Sequence, residues 1–159
     1  MNRGIGYVSG VRYERRVERF TASGTFTPPA GVTYAIAHIL GGGGAAAGTV
    51  ANGGNSSVAF AGGTITANGG VSVTAYSEGT TGTAGSDNGG QGAFTFGGNG
   101  FGTVTVVLRG ADGAEVVAGG AVTAGTGVTV TVGAGGTGTK AGGSGYVWIE
   151  YEQPIGVGL

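Results

Sequence analysis

The chain has 159 residues, of which 41 are glycine and only 9% are charged, and its formal net charge is −1. This length fits one domain, and the near-neutral charge argues against charge-driven disorder. The absence of cysteine excludes disulfides and thiolate metal sites. No apolar run approaches the roughly 18 residues that a membrane-spanning helix needs, so we expect no membrane insertion.

The first 19 residues differ from the rest of the chain in charge. They hold five arginines against two glutamates, whereas the other 140 residues hold two basic residues against six acidic ones. Tyr13, Val17 and Phe20 would share one face of a helix, but Val11, Tyr13 and Val17 also share one face of a strand, and we favour the strand. We interpret residues 1–19 as an extended basic docking arm.

The arm carries the residues that we expect to bind a partner. Two glutamates dilute its positive charge, which favours an acidic protein surface over nucleic acid as the partner. We therefore predict no nucleic-acid binding. The predicted docking residues are Arg12, Tyr13, Arg15, Arg16, Val17 and Arg19.

Residues 20–152 have the pattern of an all-β domain, and residues 153–159 form a short tail. β-Branched and apolar residues alternate with threonine in short runs, which is typical of half-buried strands. Glycine doublets separate the runs, and we interpret them as tight turns. The predicted strands are 32–40, 57–60, 64–67, 71–75, 103–108, 115–118, 128–132 and 146–151. The fold class that follows is a glycine-rich β-sandwich or two-layer β structure.

The segment 79–102 is dense in glycine and lacks a long apolar run, so we predict a surface loop there. Aromatic side chains lie in and beside it, and such rings can stack on a sugar or a peptide. The candidates for surface contact are Tyr76, Phe94, Phe96 and Phe101.

No motif in the sequence supports an enzyme active site. Residues 133–138 match G-x-G-x-x-G, but only seven residues separate Gly138 from Tyr146, too few for the crossover helix of a dinucleotide site. We interpret the motif as a glycine-rich turn. The single histidine, His38, has no cysteine or second histidine to form a metal site, and no serine lies in a nucleophile elbow. We predict no catalysis and no cofactor.

Core side chains are mostly alanine and valine, which bury little apolar surface. A lone domain of this composition would be marginally stable. We therefore expect the chain to gain stability by association, as a homo-oligomer or as a subunit of a particle.

Several stretches together resemble a known family. Residues 20–33 (FTASGTFTPPAGVT), followed by a strand at 34–40 and a glycine run at 41–44, are similar to the opening of glycine-rich modules in tailed-bacteriophage tail-fibre and minor tail proteins. Residues 56–60 with 65–70 (ITANGG), 128–136 (VTVTVGAGG) and 145–151 (GYVWIEY) resemble later elements of the same module. The resemblance covers about residues 20–151.

The resemblance implies a structural protein of the virion, in the tail tip or a tail fibre, that contacts other virion proteins and the host surface through a glycan or a protein. It also implies a trimer. The alternatives are a capsid decoration or head-fibre protein and a free carbohydrate-binding module. The family often carries long polyglycine runs, which form layered polyglycine-II helices in some phage adhesins. Only residues 41–44 exceed two consecutive glycines here, so we expect no such lattice.

Overall fold

The structure is a computed structural model that describes residues 11–46, 50–73, 91–96 and 104–155. Ten strands and no helix form within these ranges, and thus no helix that could cross a membrane. The strands are β1 (Arg12–Phe20), β2 (Gly24–Phe26), β3 (Tyr34–Leu40), β4 (Ser56–Phe60), β5 (Gly63–Ala67), β6 (Gln91–Phe96), β7 (Val104–Arg109), β8 (Glu115–Ala121), β9 (Val128–Thr131) and β10 (Tyr146–Ile155).

Eight of these strands form two antiparallel sheets. Sheet A has the order β1-β10-β3-β8, and sheet B has the order β2-β9-β4-β5. Strands β6 and β7 form a separate antiparallel pair. The predicted all-β, two-layer fold is confirmed.

A hydrophobic core lies between the two sheets. Alternate residues of β3 and β10, among them Ile39 and Ile149, point inward from sheet A and are at most 1% exposed. Val58 and Val130 meet them from sheet B, and Phe26 closes the core at 0% exposure. Alanine and valine fill most other core positions, as the composition indicated.

At one end of the sandwich the chain enters a second kind of packing, which we call the glycine bundle. Strands β3, β5 and β9 lead into it, and β4, β8 and β10 emerge from it. The bundle is built from six short segments without strand pairing, residues 41–46, 51–55, 68–73, 110–114, 133–137 and 140–145.

Backbone hydrogen bonds in the bundle repeat every three residues. In the segment 41–46, successive N–H groups donate to three different segments, and the fourth returns to the first. Gly41 and Gly44 donate to Ala114 and Ala111 at 3.0 and 2.8 Å, and Gly42 donates to Gly54 at 2.9 Å. A repeat of three without internal hydrogen bonds is the geometry of the polyproline II helix. The segments therefore pack as polyglycine-II helices.

The segment 41–46 occupies the centre of this bundle. It bonds to 51–55, 110–114 and 140–145 through its N–H groups, and to 68–73 and 133–137 through its carbonyls. The surrounding segments also bond to one another in the order 110–114, 68–73, 51–55, 133–137 and 140–145.

Glycine is required in the bundle because backbones touch there. A Cβ on Gly42 would lie 2.1 Å from the carbonyl oxygen of Ala134, and a Cβ on Gly53 would lie 1.9 Å from that of Gly42. Backbone atoms cannot rotate away as a flexible side chain can. The same restriction applies at the crowded axis of collagen, where only glycine fits.

Four sequence-based expectations are corrected here. A polyglycine lattice does form, because it needs glycine only where two backbones meet and not in a long run. The doublets at 53–54, 69–70, 135–136 and 142–143 lie inside the bundle and not at turns. For the same reason residues 71–73 are a bundle segment and not a strand, and the G-x-G-x-x-G motif supplies the segment 133–137.

Two predicted domain boundaries and one predicted loop also differ from the structure. The division at residue 19 falls inside β1, and the division at residue 152 falls inside β10. Part of the predicted loop 79–102 is strand β6, whose Phe-Thr-Phe stretch suits a pleated sheet.

One buried hydroxyl joins the sandwich to the bundle. Ser56, at 0% exposure, donates a hydrogen bond to the carbonyl of Leu40 at 2.6 Å and accepts one from the N–H of Gly133 at 2.9 Å. These groups lie where β3, β4 and β9 meet the bundle, so a single side chain links three strands at that junction.

We predict that Gly42→Ala destabilises the protein by about 3 kcal/mol or more, because the new methyl group would overlap the Ala134 backbone. Gly62→Ala is the matched control. Nothing lies within 4 Å of a Cβ at Gly62, so its stability should stay within about 1 kcal/mol of the wild type. Chemical denaturation measures both. Equal stability of the two variants would contradict the close packing of the bundle.

We predict that Ser56→Ala lowers the free energy of unfolding by about 2–3 kcal/mol, since it leaves the buried N–H of Gly133 and the carbonyl of Leu40 without this partner. Ser57→Ala, at the half-buried next position on β4, should change it by less than about 1 kcal/mol. A thermal or urea melt of each variant provides the comparison, and a neutral Ser56→Ala would refute the role of the junction.

Candidate functional site

The six predicted docking residues all lie on β1, which pairs with β10 along its whole length, from Arg12 opposite Ile155 to Phe20 opposite Val147. The predicted extended conformation is confirmed for the described part of the arm, from Arg12 onward. The segment is not separate from the β pattern of the domain, however, because β1 forms one edge of sheet A.

The two faces of β1 divide the docking residues between them. Register with β10 places four of them on the face of sheet A that points away from sheet B, which we call the outer face: Tyr13, Arg15, Val17 and Arg19. Arg12 and Arg16 lie on the opposite face together with Glu14 and Glu18. The structure therefore does not bring all six docking residues onto one surface.

The outer face carries many apolar side chains that are open to solvent. Single exposed apolar residues are common, but a contiguous group of them indicates an interaction surface. The members with the largest exposed fractions are Tyr13, Val17, Tyr34, Ile36, Val117 and Tyr146, at 39–60%. They come from all four strands of sheet A.

A charged group interrupts this apolar surface at its middle. Arg15 forms an ion pair and a hydrogen bond with Glu150, and His38 Nε2 lies 3.7 Å from the same carboxylate. The hydrogen bond from Arg15 is the main cause that holds the pKa of Glu150 below its ordinary value, and the charges of Arg15 and His38 act in the same direction.

Three aromatic rings stack beside this charged group. The His38 and Trp148 rings lie 4.5 Å apart at 13°, and the Tyr146 and Trp148 rings lie 5.4 Å apart at 12°. The rings pack on one another and do not lie side by side as a flat platform. They stiffen the outer face where β10 meets β3.

A cleft of about 440 Å³ opens in the outer face beside the Arg15–Glu150 ion pair. It forms where the pairing of β10 with β3 stops, after Tyr151 opposite Ala35. Tyr13 and Tyr34 line it together with Arg15, Glu150 and Glu152. This mixture of phenol rings, carboxylates and a guanidinium can bind a polar ligand by hydrogen bonds. Among the described residues, no group of His, Asp or Glu could hold a metal ion.

Of the four predicted surface aromatics, two lie in strand β6 and two lie outside the described residues. Tyr76 and Phe101 lie outside the described residues. The backbones of Phe94 and Phe96 lie in β6, opposite Val106 and Val104 of β7.

Most of the outer face could not be predicted from the sequence. His38 was rejected as a metal ligand, and nothing in the sequence connects Glu150 with Arg15, which lies 135 positions earlier. The shared parity of Tyr146, Trp148 and Glu150 was a usable signal, since it places them on one face of β10. The pairing of β1 with β10 had no local signal.

We predict that Arg15→Met raises the pKa of Glu150, because it removes the largest cause of the lowered value. The folded-state pKa of Glu150 lies below the unfolded one, so the ion pair stabilises the fold above the unfolded-state pKa. That contribution is lost as the pH falls through the folded-state pKa. The stability deficit of Arg15→Met should therefore shrink in acid.

NMR titration of the Glu150 side-chain carboxyl measures this pKa directly. Arg16→Met is the control, since Arg16 pairs with Glu14 at 2.7 Å and not with Glu150. An equal rise in both variants, or none in Arg15→Met, would contradict the assignment.

Comparison with known proteins found no similarity to report: no protein-family profile, no curated protein and no solved structure matches the chain.

Proposed function

We propose that the chain is a structural protein of a tailed-bacteriophage virion, a component of the tail tip or a tail fibre. The observation that carries this proposal is the glycine bundle, continuous with the strands of the sandwich. Residues 20–151 resemble glycine-rich modules of phage tail proteins, and layered polyglycine-II helices occur in some adhesins of that kind. The short runs of consecutive glycine in the sequence did not predict this bundle.

The bundle separates two ends of the molecule. Its segments leave the sandwich at one end, and Ala46, Val73 and Lys140 meet at the other, where they are joined by isolated bridges. Along the chain, residues 47–50, 74–109 and 138–139 connect the segments whose ends meet there. A bundle of cross-bonded backbone is well suited to keep its two ends apart.

We assign host-surface contact to the connection 74–109, which is the longest of the three. It contains all four aromatic candidates, Tyr76, Phe94, Phe96 and Phe101. Aromatic side chains supply large contact area to glycans and peptides. The ligand in this proposal is a glycan or a protein of the host surface.

Docking to other virion proteins is assigned to the outer face of sheet A and to β1. Exposed apolar residues from all four strands lie there, beside the ion pair of Arg15 and Glu150, and an exposed apolar group of this kind indicates an interaction surface. The proposal involves no catalysis, cofactor or nucleic acid, and it places the chain in the virion as part of a homo-oligomer.

Quantitative mass spectrometry of purified particles of the encoding phage tests this function. We expect a few copies per particle and antibody labelling at the tail. Hundreds of copies would replace the tail assignment with the alternative of a capsid decoration or head-fibre protein. Absence of the chain from the particles would refute a virion function.

The cleft beside Tyr13 and Tyr34 is the observation that favours the second candidate, a free carbohydrate-binding module. Its carboxylates and arginine could hydrogen-bond sugar hydroxyls. A glycan array with the isolated protein, repeated with Glu152→Ala, tests this candidate. Binding that the variant loses, together with absence from particles, would establish the module in place of the virion protein.

A further inference from the structure

The open edge of sheet A is a feature for which the proposed function names no single partner. Among the described residues, β1 pairs only with β10, so the other edge of this nine-residue strand has no strand partner there. The other outermost strands are shorter, with three residues in β2, five in β5 and seven in β8. An open edge of this length is a template for another strand.

The charges on β1 alternate in sign along one face. Arg12, Glu14, Arg16 and Glu18 share the face opposite to the outer face, and the first three are exposed. Charges of one sign would block edge pairing, which is how many proteins protect an open edge. Alternating charges instead allow a strand to pair with its own sequence in a suitable register.

We propose that β1 pairs antiparallel with β1 of a second copy of this chain, about a two-fold axis at Arg15. In this register Arg12 lies opposite Glu18 of the second copy, and the ion pair of Glu14 with Arg16 within each chain lies opposite the same pair of the other copy, with opposite charges facing each other. On the outer face Tyr13 lies opposite Val17. Cross-strand pairs of opposite charge, and aromatic residues beside β-branched ones, are favourable combinations.

Symmetry and charge favour this register, because an axis at Tyr13 or Val17 would form only one arginine–glutamate combination within β1 whereas the axis at Arg15 forms two. Residues directly opposite each other in a sheet point to the same face, so the two-fold axis must pass through a residue position and not between two. An axis at Glu14 would oppose the two Glu14 side chains and place Arg12 against Arg16. An axis at Arg16 would oppose the two Arg16 side chains and place Glu14 against Glu18.

The axis at Arg15 also places two like charges together, but these are already compensated. Each Arg15 is bound to Glu150 of its own chain. The pair buries outer-face residues that are otherwise open, since Tyr13 is 60% and Val17 47% exposed. Sheet A would become one continuous eight-stranded sheet across two copies, with two-fold symmetry in place of the trimer expected from the sequence.

Sedimentation of the full-length protein at increasing concentration tests the pairing, and we expect a monomer–dimer equilibrium. Glu18→Arg would set two Arg–Arg pairs across the axis and should weaken the dimer by about tenfold or more. The exchanged variant Arg12→Glu with Glu18→Arg restores opposite charges and should recover the dimer. Glu115→Arg, the same charge change on β8, should leave the dimer unaffected.

Cross-linking reads the register directly, because the chain has no cysteine of its own. Arg15→Cys places two thiols opposite each other at the axis, where the spacing of about 4.5–5.5 Å between opposed residues allows a disulfide. Val17→Cys is the control, since its two copies would lie roughly 14 Å apart along the strands. We expect an oxidised dimer with Arg15→Cys and little with Val17→Cys.

Three results would overturn the proposal. One is a wild-type protein that stays monomeric at all concentrations, as expected if β1 binds only a different virion protein. Another is a trimer. The third is a dimer that withstands Glu18→Arg and cross-links equally at position 17. None of these results bears on the copy number in particles, so this proposal and the virion function can fail separately.

Discussion

The architecture depends on one constraint, the approach of backbone to backbone in the glycine bundle. Six segments lie so close that a single methyl group at Gly42 or Gly53 would overlap a neighbouring carbonyl. What the bundle gains in return is a hydrogen bond from each N–H of the segment 41–46 to one of three neighbouring segments in turn. Backbone groups buried away from water need such partners, and here they are supplied without helix or sheet.

The bundle also determines how the sandwich is arranged. Six of the eight sandwich strands are continuous with a bundle segment, so the packing of the segments holds the ends of β3, β4, β5, β8, β9 and β10 together. Asparagine side chains reinforce it at the same repeat of three. Asn52 accepts a hydrogen bond from the N–H of Ser72, and Asn55 accepts one from that of Gly69. The small-residue core is thus supported by a second network that does not rely on apolar burial.

The strands could be predicted from the sequence because their signal is local. Alternation of valine and threonine indicated β9, and the aromatic and β-branched run indicated β10. The bundle could not be predicted this way, since glycine doublets at turns and in a bundle look alike along the chain. They differ only in what lies opposite them in space.

The candidate site could likewise be predicted only in part. Arg15 was predicted from its charge, whereas its partner Glu150 depends on a pairing between distant strands.

The position of the segment 41–46 has a consequence for the kinetics of folding. This segment is synthesised well before some of its backbone partners, which extend to Gly143. Its hydrogen bonds cannot be completed until residue 143 has left the ribosome. Contacts that are distant in sequence form slowly, and incomplete intermediates expose surface that is prone to aggregate. Because the segment 41–46 lies at the centre of the bundle, its backbone hydrogen bonds are among the last to be completed.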